Sequence, residues 1–186
     1  MKSLLTLLVL MACISCEEVL VPKPKAFFSL DYKKASYIES HGEFPFLFEK
    51  NKLTQISISK KQNNQEGFIL HYPTLKASIF INYKKVNSNL RKHIDEAKKM
   101  TYKHRQVADE ISQRKYDNNF EKVHGMFYDL TGNVASPSQF YVTDSVNHFL
   151  SGALYFETKP NYDSTLPAIS YIQKDMVHLI ESLKWK

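Results

Sequence analysis

The stretch SQFYVTDSVNHFLSGALYFE, residues 138–157, has the pattern of two strands joined by a short turn. In its second half two sets of residues alternate, Phe149, Ser151, Ala153 and Tyr155 against Leu150, Gly152, Leu154 and Phe156. Because successive side chains of a strand point to opposite faces, both faces of this strand carry apolar groups. The alternation therefore predicts a central strand that is covered on both sides.

Other strand patterns lie on either side of this stretch. The run VHGMFYDL, residues 123–130, precedes it after a turn-rich segment, so the three runs predict an antiparallel meander. The run QEGFILHYPTLKASIFINY, residues 65–83, predicts a hairpin with PTLK near its turn. The polar tract KKQNNQEG, Lys60 to Gly67, predicts a loop between two strands.

Two segments have the periodicity of amphipathic helices. The first runs from about Asn89 to Ile111 and the second from about Pro167 to Leu183. The side chains that could cap them are Asn87 or Ser88 for the first and Asp163, Ser164 or Thr165 for the second. The polar segment Gln113 to Lys122 connects the first helix to the strands that follow. Two helices with six or seven strands, mostly in hairpins, predict an α+β domain on a mostly antiparallel sheet. Their order resembles the Mog1/PsbP-like sandwich, an analogy at the level of the fold.

The N-terminus MKSLLTLLVLMACISC has the pattern of a lipoprotein signal peptide, with one cation, a short apolar run and a small residue before Cys16. The sequence therefore predicts a signal at residues 1–15, lipid attachment at Cys16, a tether over residues 16–25 and a single domain over residues 26–186. Cys13 is the rival lipid-attachment residue, and an ordinary secretory signal is the other alternative. Two or three acyl chains would hold the mature protein on a membrane.

The charge is modestly basic, with 25 Lys and Arg against 19 Asp and Glu, and the cations are spread along the chain. This pattern is typical of solvated faces, so we predict no nucleic-acid partner. The seven histidines occur singly, without a second ligand at helical spacing, and no glycine-rich phosphate loop is present. The sequence accordingly predicts no metal and no cofactor.

The polar residues around the first quoted turn raise two further possibilities. A hydrolase would use Ser138 or Ser145 with His148, but no G-x-S-x-G turn is present, so we predict no catalytic residue. The loop and turn instead suggest a partner surface with exposed aromatics, made of Asn133, Ser136, Gln139, Tyr141, Thr143 and Asp144. The alternative, that these residues only cap strands and satisfy turn backbone, stays open.

Several segments carry a family resemblance that covers most of the chain after the signal. They are VPKPKAFFSLDY, HYPTLKASIFINYK, GMFYDLTGNVASPSQFYVTDS, HFLSGALYF, KPNYDSTLPA and LKWK. Together they resemble the gliding motility lipoprotein GldD family of the Bacteroidota. The resemblance implies a noncatalytic envelope lipoprotein of a Gram-negative bacterium, anchored to a membrane and facing the periplasm. Its expected partners are envelope proteins of the gliding and type IX secretion machinery. A periplasmic carrier of a small ligand or peptide is the alternative function.

Overall fold

An antiparallel sheet of seven strands organises the structure, a computed structural model that describes residues 32–40, 42–62 and 65–186. The strands in chain order are β1 (Tyr37–Glu39), β2 (Phe46–Leu47), β3 (Glu49–Asn51), β4 (Gln55–Gln62), β5 (Gln65–Tyr72), β6 (Ala77–Lys85), β7 (Glu110–Asn118), β8 (Val123–Thr131), β9 (Ser138–Thr143), β10 (His148–Phe156) and β11 (Lys184–Trp185). The main sheet has the order β4-β5-β6-β10-β9-β8-β7, while β1 pairs with β3 and β2 with β11. The signal peptide, Cys16 and the tether lie outside the described residues.

The predicted central strand is confirmed, because β10 lies in the middle of the main sheet between β6 and β9. Leu150 and Leu154 are fully buried in one apolar cluster, and Phe149 belongs to a second cluster on the other face, where Ala153 and Tyr155 are only half-buried and the predicted cover is incomplete. The predicted meander is also confirmed, since β8, β9 and β10 pair in succession. The predicted hairpin is confirmed as well, because β5 pairs with β6 and a 3₁₀ turn at Pro73–Leu75 joins the two strands.

Two α-helices cover opposite faces of the sheet. Helix α1 (Leu90–Tyr102) packs Leu90, Ile94 and Ala97 against the cluster that contains Phe149. Helix α2 (Tyr162–Glu181) buries a broad apolar stripe in the larger cluster, made of Ile169, Ile172, Met176, Leu179 and Ile180. The architecture is thus α+β, as predicted, with a mostly antiparallel sheet between helices. The named likeness to a Mog1/PsbP-like sandwich stays a prediction.

The first helix starts within one residue of the prediction, but its predicted cap and its predicted end are wrong. The helix begins after Asn89, not after Asn87 or Ser88, and it ends at Tyr102. A 3₁₀ turn follows at Lys103–Gln106, and β7 then occupies Glu110–Asn118, so the predicted polar connection is largely a strand. Ile111 has helical spacing from the residues before it, but it pairs with Leu130 of β8. Nine residue pairs between β7 and β8 outweigh the local helical pattern.

Two further boundaries differ from the predictions. Helix α2 begins five residues before Pro167, where the Asn161 side chain accepts a hydrogen bond from the backbone of Ser164. Pro167 therefore lies inside the helix, and the predicted caps belong to its first turn. The predicted loop Lys60 to Gly67 is mostly strand, because β4 continues to Gln62 and β5 starts at Gln65. A register shift between Ser59 and Gln62 accommodates this polar end of the hairpin.

A buried carboxylate attaches the first part of the described chain to α2. Asp175 is 4% exposed and accepts hydrogen bonds from the hydroxyls of Tyr37 and Tyr72 and from the amide of Asn51, at 2.8, 3.0 and 2.8 Å. Burial and the adjacent carboxylate raise the pKa of both tyrosines above the usual range. These bonds hold β1 and β3 along the helix.

Candidate functional site: the cleft and open sheet face beside α1

The structure separates the groups of the hydrolase hypothesis. Gln139 pairs with Ala153, so Ser138 lies level with Leu154, six residues from His148 along β10. At about 3.3 Å per residue this is roughly 20 Å. Ser138 accepts a hydrogen bond from Gln173, whereas His148 Nδ1 lies 2.8 Å from the Tyr83 hydroxyl. Within the described ranges neither Ser138 nor Ser145 forms a hydrogen bond with His148.

Most of the predicted partner surface is inside the protein. Ser136, Gln139, Tyr141 and Thr143 are buried, with 0 to 7% of their surface exposed. The prediction of an exposed aromatic is therefore wrong at Tyr141, whose ring stacks on Phe149 beneath α1. The sequence pattern missed this because Tyr141 has a polar end, and only the covering helix makes its position internal.

These residues also have identifiable internal bonds. The Gln139 side chain accepts a hydrogen bond from Thr101 of α1 at 2.9 Å, and the Thr143 hydroxyl donates to the carbonyl of His148 at 2.6 Å. The exposed Asn133 accepts a hydrogen bond from the backbone of Tyr162, which connects the β8–β9 loop to the start of α2. For Asn133 and Asp144, which keep exposed surface, contact with a partner stays a prediction.

Asp144 organises the turn between β9 and β10. Its Oδ1 accepts hydrogen bonds from the backbone N–H groups of Val146, Asn147 and His148, at 3.0, 2.8 and 2.8 Å. Burial by itself would raise the pKa of Asp144, but these hydrogen bonds to the charged form outweigh it and the pKa is lowered. The carboxylate therefore has a structural task in this turn.

A larger polar cleft opens at the N-terminal end of α1, and we call it the α1 cleft. It is lined by Asn89, Lys92, His93 and Glu96 at the start of α1 and by Lys84 and Lys85 at the end of β6. Glu43 and Glu66 line it as well. The cleft is broad and shallow, and His148 reaches it from the start of β10.

One ion pair crosses the α1 cleft. Lys84 Nζ lies 2.8 Å from Glu96 Oε2, and this hydrogen bond lowers the pKa of Glu96. His93 is 9% exposed, and neither of its ring nitrogens has a hydrogen-bond partner. The nearest charged atom is Glu96 Oε2, 3.7 Å from Nδ1, which is beyond hydrogen-bond length. A buried imidazole without a partner is unusual in a folded protein.

Apolar side chains on the sheet continue from the α1 cleft. Ile69, Phe80 and Ala153 lie opposite one another on β5, β6 and β10, and the Tyr155 ring meets the Phe80 ring edge-on at 5.4 Å. We call these four residues the open sheet face, because α1 leaves Phe80 40% exposed. Met100 borders this face from α1 and is 56% exposed. The structure therefore places a polar cleft and an apolar surface beside the same helix.

Sequence reasoning did not identify either part of this site. One signal was available: NLRKH, Asn89 to His93, places three basic or titratable side chains and no acid in the first turn of a helix. The open sheet face has no local signal, because strand residues that are covered and uncovered by a distant helix look alike in sequence.

The described part of the chain contains neither a metal-binding group of side chains nor a helix suited to cross a membrane. In residues 32–40, 42–62 and 65–186, no group of three or more His, Cys, Asp or Glu side chains is arranged to hold a metal ion. Over the same residues, neither helix combines the length and the apolar character that crossing a membrane requires.

Comparison with known proteins assigns the family. The family model described as gliding motility lipoprotein GldD matches residues 17–185. The chain belongs to the gliding motility lipoprotein GldD family. The match confirms the resemblance carried by the segments around GNVASPSQFYVTDS, and it associates the protein with gliding motility and, as a lipoprotein, with the cell envelope. No curated protein matches the chain in a sequence search.

Proposed function

We propose that this GldD-family protein is a noncatalytic accessory component of the gliding and type IX secretion machinery, acting through protein contacts. A signal peptide at residues 1–15 is removed, Cys16 carries the lipid, residues 16–25 form the tether and residues 26–186 form one domain. The domain faces the periplasm. The observation that carries this proposal is the family match, which spans nearly all of the chain after the signal.

The volumes of the cavities bear on the carrier alternative. Two of the cavities, beside the β8–β9 loop and beneath α1, have volumes of about 90 and 50 Å³. Pockets for small molecules are usually about 300–1,000 Å³. The α1 cleft and an open groove beside the start of α2, at about 840 and 650 Å³, fall within that range, so cavity volume does not decide against the carrier alternative.

Complementation tests the proposed function. In a gliding host that lacks its own family member, we expect this chain to restore both colony spreading and secretion of a type IX cargo protein. The Lys99→Asp variant should restore both as fully as the unchanged chain, because Lys99 is exposed on α1 away from the cleft. Restored spreading without restored secretion would contradict the secretion role.

Capture of partners separates the remaining alternatives. Mild crosslinking in membranes should recover components of the gliding or type IX machinery with the lipoprotein. Native mass spectrometry that finds a stoichiometric small ligand would instead support the carrier, and covalent labelling by a fluorophosphonate would support the hydrolase.

A further inference from the structure

We propose that the α1 cleft and the open sheet face form one docking groove for an extended, acidic and apolar segment of a protein partner. A carboxylate of the segment would bind at the start of α1, and a large apolar side chain would cover Phe80. This inference rests on the proposed function, since it names the surface that would make the protein contacts.

No side chain caps the backbone N–H groups at the start of α1. Asn89 is the N-cap, yet its side chain makes no capping bond; its Oδ1 accepts from the backbone of Asn87 at 2.8 Å instead. The first turn contains no acidic residue. The free N–H groups and the positive end of the helix dipole therefore favour an anion at this position.

The His93 side chain is a second group without a partner, and its unpaired ring nitrogens are a separate observation from the helix end. This side chain lines the α1 cleft, is 9% exposed and has no hydrogen-bond partner on either ring nitrogen. A carboxylate oxygen arriving in the cleft can accept a hydrogen bond from the protonated nitrogen of the ring. Both ring nitrogens are buried, so this binding requires Glu96, now 3.7 Å from Nδ1, to move aside.

The charges in the cleft indicate where the anion belongs. Lys84 is already paired with Glu96, but Lys85 and Lys92 form no ion pair with any residue in the described ranges. Lys84 shares the sheet face of α1 and Lys85 alternates to the other face, so of these two unpaired lysines only Lys92 lies on the α1 side. Charge complementarity therefore selects a ligand that places its carboxylate against Lys92 and the start of α1.

Strand β6 connects the α1 cleft with the open sheet face. Lys84, Asn82 and Phe80 alternate along β6 and so share the face that carries α1. Lys84 lies at the level of His93, since Glu96 is close to both, and it is four strand positions from Phe80, about 13 Å. An extended partner segment would thus have an acidic residue four positions from an aromatic or large aliphatic residue, which would pack on Phe80 and Met100.

A titration followed by nuclear magnetic resonance tests the groove on the full chain in detergent. The probe is the acetylated, amidated peptide Asp-Ser-Gly-Ser-Phe, and its matched control has Asn in place of Asp. We expect the acidic peptide to shift the imidazole signals of His93 in histidine-labelled protein, with at least tenfold weaker binding for the Asn peptide. Equal binding of both peptides, or no shift at millimolar concentration, would overturn the proposal.

Two variants locate the binding. Lys92→Glu and Phe80→Ser should each weaken binding of the acidic peptide at least tenfold, while Lys99→Glu, the same charge change outside the cleft, should leave it unchanged. All three positions are exposed, so the melting temperature should stay within a few degrees of the parent. Equal losses in Lys92→Glu and Lys99→Glu would show a nonspecific charge effect and contradict the groove.

Other occupants give different results. Inorganic phosphate that reproduces the His93 shift and displaces the peptide, with no effect of Phe80→Ser, would reveal an anion site alone. Shifts that depend only on protein concentration would identify a second copy of the chain. Either result overturns the partner segment. If the peptide fails to bind while the chain still restores gliding, the groove is wrong and the proposed function survives.

Discussion

At the scale of single residues, polar side chains in this protein act mainly by satisfying the backbone. Asp144 is the clearest case, because one carboxylate oxygen accepts three N–H groups of the turn that leads into the central strand. The pattern TDSVN marks a turn in the sequence, and this much was predictable from the usual roles of Asp and Asn in turns. The sequence could not predict that one oxygen accepts three hydrogen bonds, since this depends on the path of the chain from Thr143 to His148.

The lowered pKa of Asp144 predicts a pH-dependent contribution to stability. The ionised form stabilises the fold above the unfolded-state pKa of about 3.9, and this contribution is lost as the pH falls through the lower folded-state pKa. Asp144→Asn keeps an acceptor but removes the charge, so we expect it to lower the free energy of unfolding by about 1 kcal/mol at pH 7. Urea unfolding at pH 7 and pH 2.5 measures the difference, which should be smaller at the lower pH. An equal difference at both values would contradict the charge-based explanation.

At the scale of elements, strand pairing overrides local periodicity. The spacing of Ala108 and Ile111 continues a helical pattern, yet β7 forms because it completes the edge of the sheet beside β8. The polar residues of β7 are typical of an edge strand, where only one side is paired and charged side chains limit further pairing. In contrast, the alternation in β10 predicted the central strand correctly, because Leu150 and Leu154 are buried on one face and Phe149 is buried on the other.

The central position of β10 predicts a large effect of a buried charge. Leu154 is fully buried in the larger cluster, so Leu154→Asp would leave a carboxylate in the core without a partner. We expect a loss of several kcal/mol, enough to unfold a domain of ordinary stability. Lys99→Asp on the exposed side of α1 should change stability by about 0.5 kcal/mol at most. Thermal melts that coincide for the two variants would refute the placement of β10 in the core.

At the scale of the whole molecule, the domain and its membrane attachment are separate parts of the proposal. The described chain starts beside α2, where the Tyr171 hydroxyl donates a hydrogen bond to the carbonyl of Lys33 and its ring stacks on Tyr32. The family match begins at residue 17, directly after the proposed lipid-attachment residue. The proposed tether, residues 16–25, lies outside the described residues.

The proposed anchor predicts a specific result for its two candidate cysteines. Diacylglyceryl transfer requires a thiol, so Cys16→Ser should abolish incorporation of labelled palmitate and leave unprocessed precursor. Cys13→Ser is the matched control and should retain the label. The measurement is metabolic labelling followed by fractionation of the membranes. Label that persists in Cys16→Ser and disappears in Cys13→Ser would assign the anchor to Cys13.

By itself the sequence determined the α+β class, the meander and the central strand, because alternation and helical spacing report which faces of an element are buried. Only the tertiary structure decided the roles of residues whose surroundings come from distant segments. Asp175 is 138 residues from Tyr37, and Gln139 is 38 residues from Thr101, yet each pair is joined by a hydrogen bond. The unpartnered His93 and the uncovered Phe80 are decided in the same way, by where α1 lies on the sheet. Local patterns specify which side chains can be buried, but long-range packing decides which polar groups find partners and which surfaces stay open.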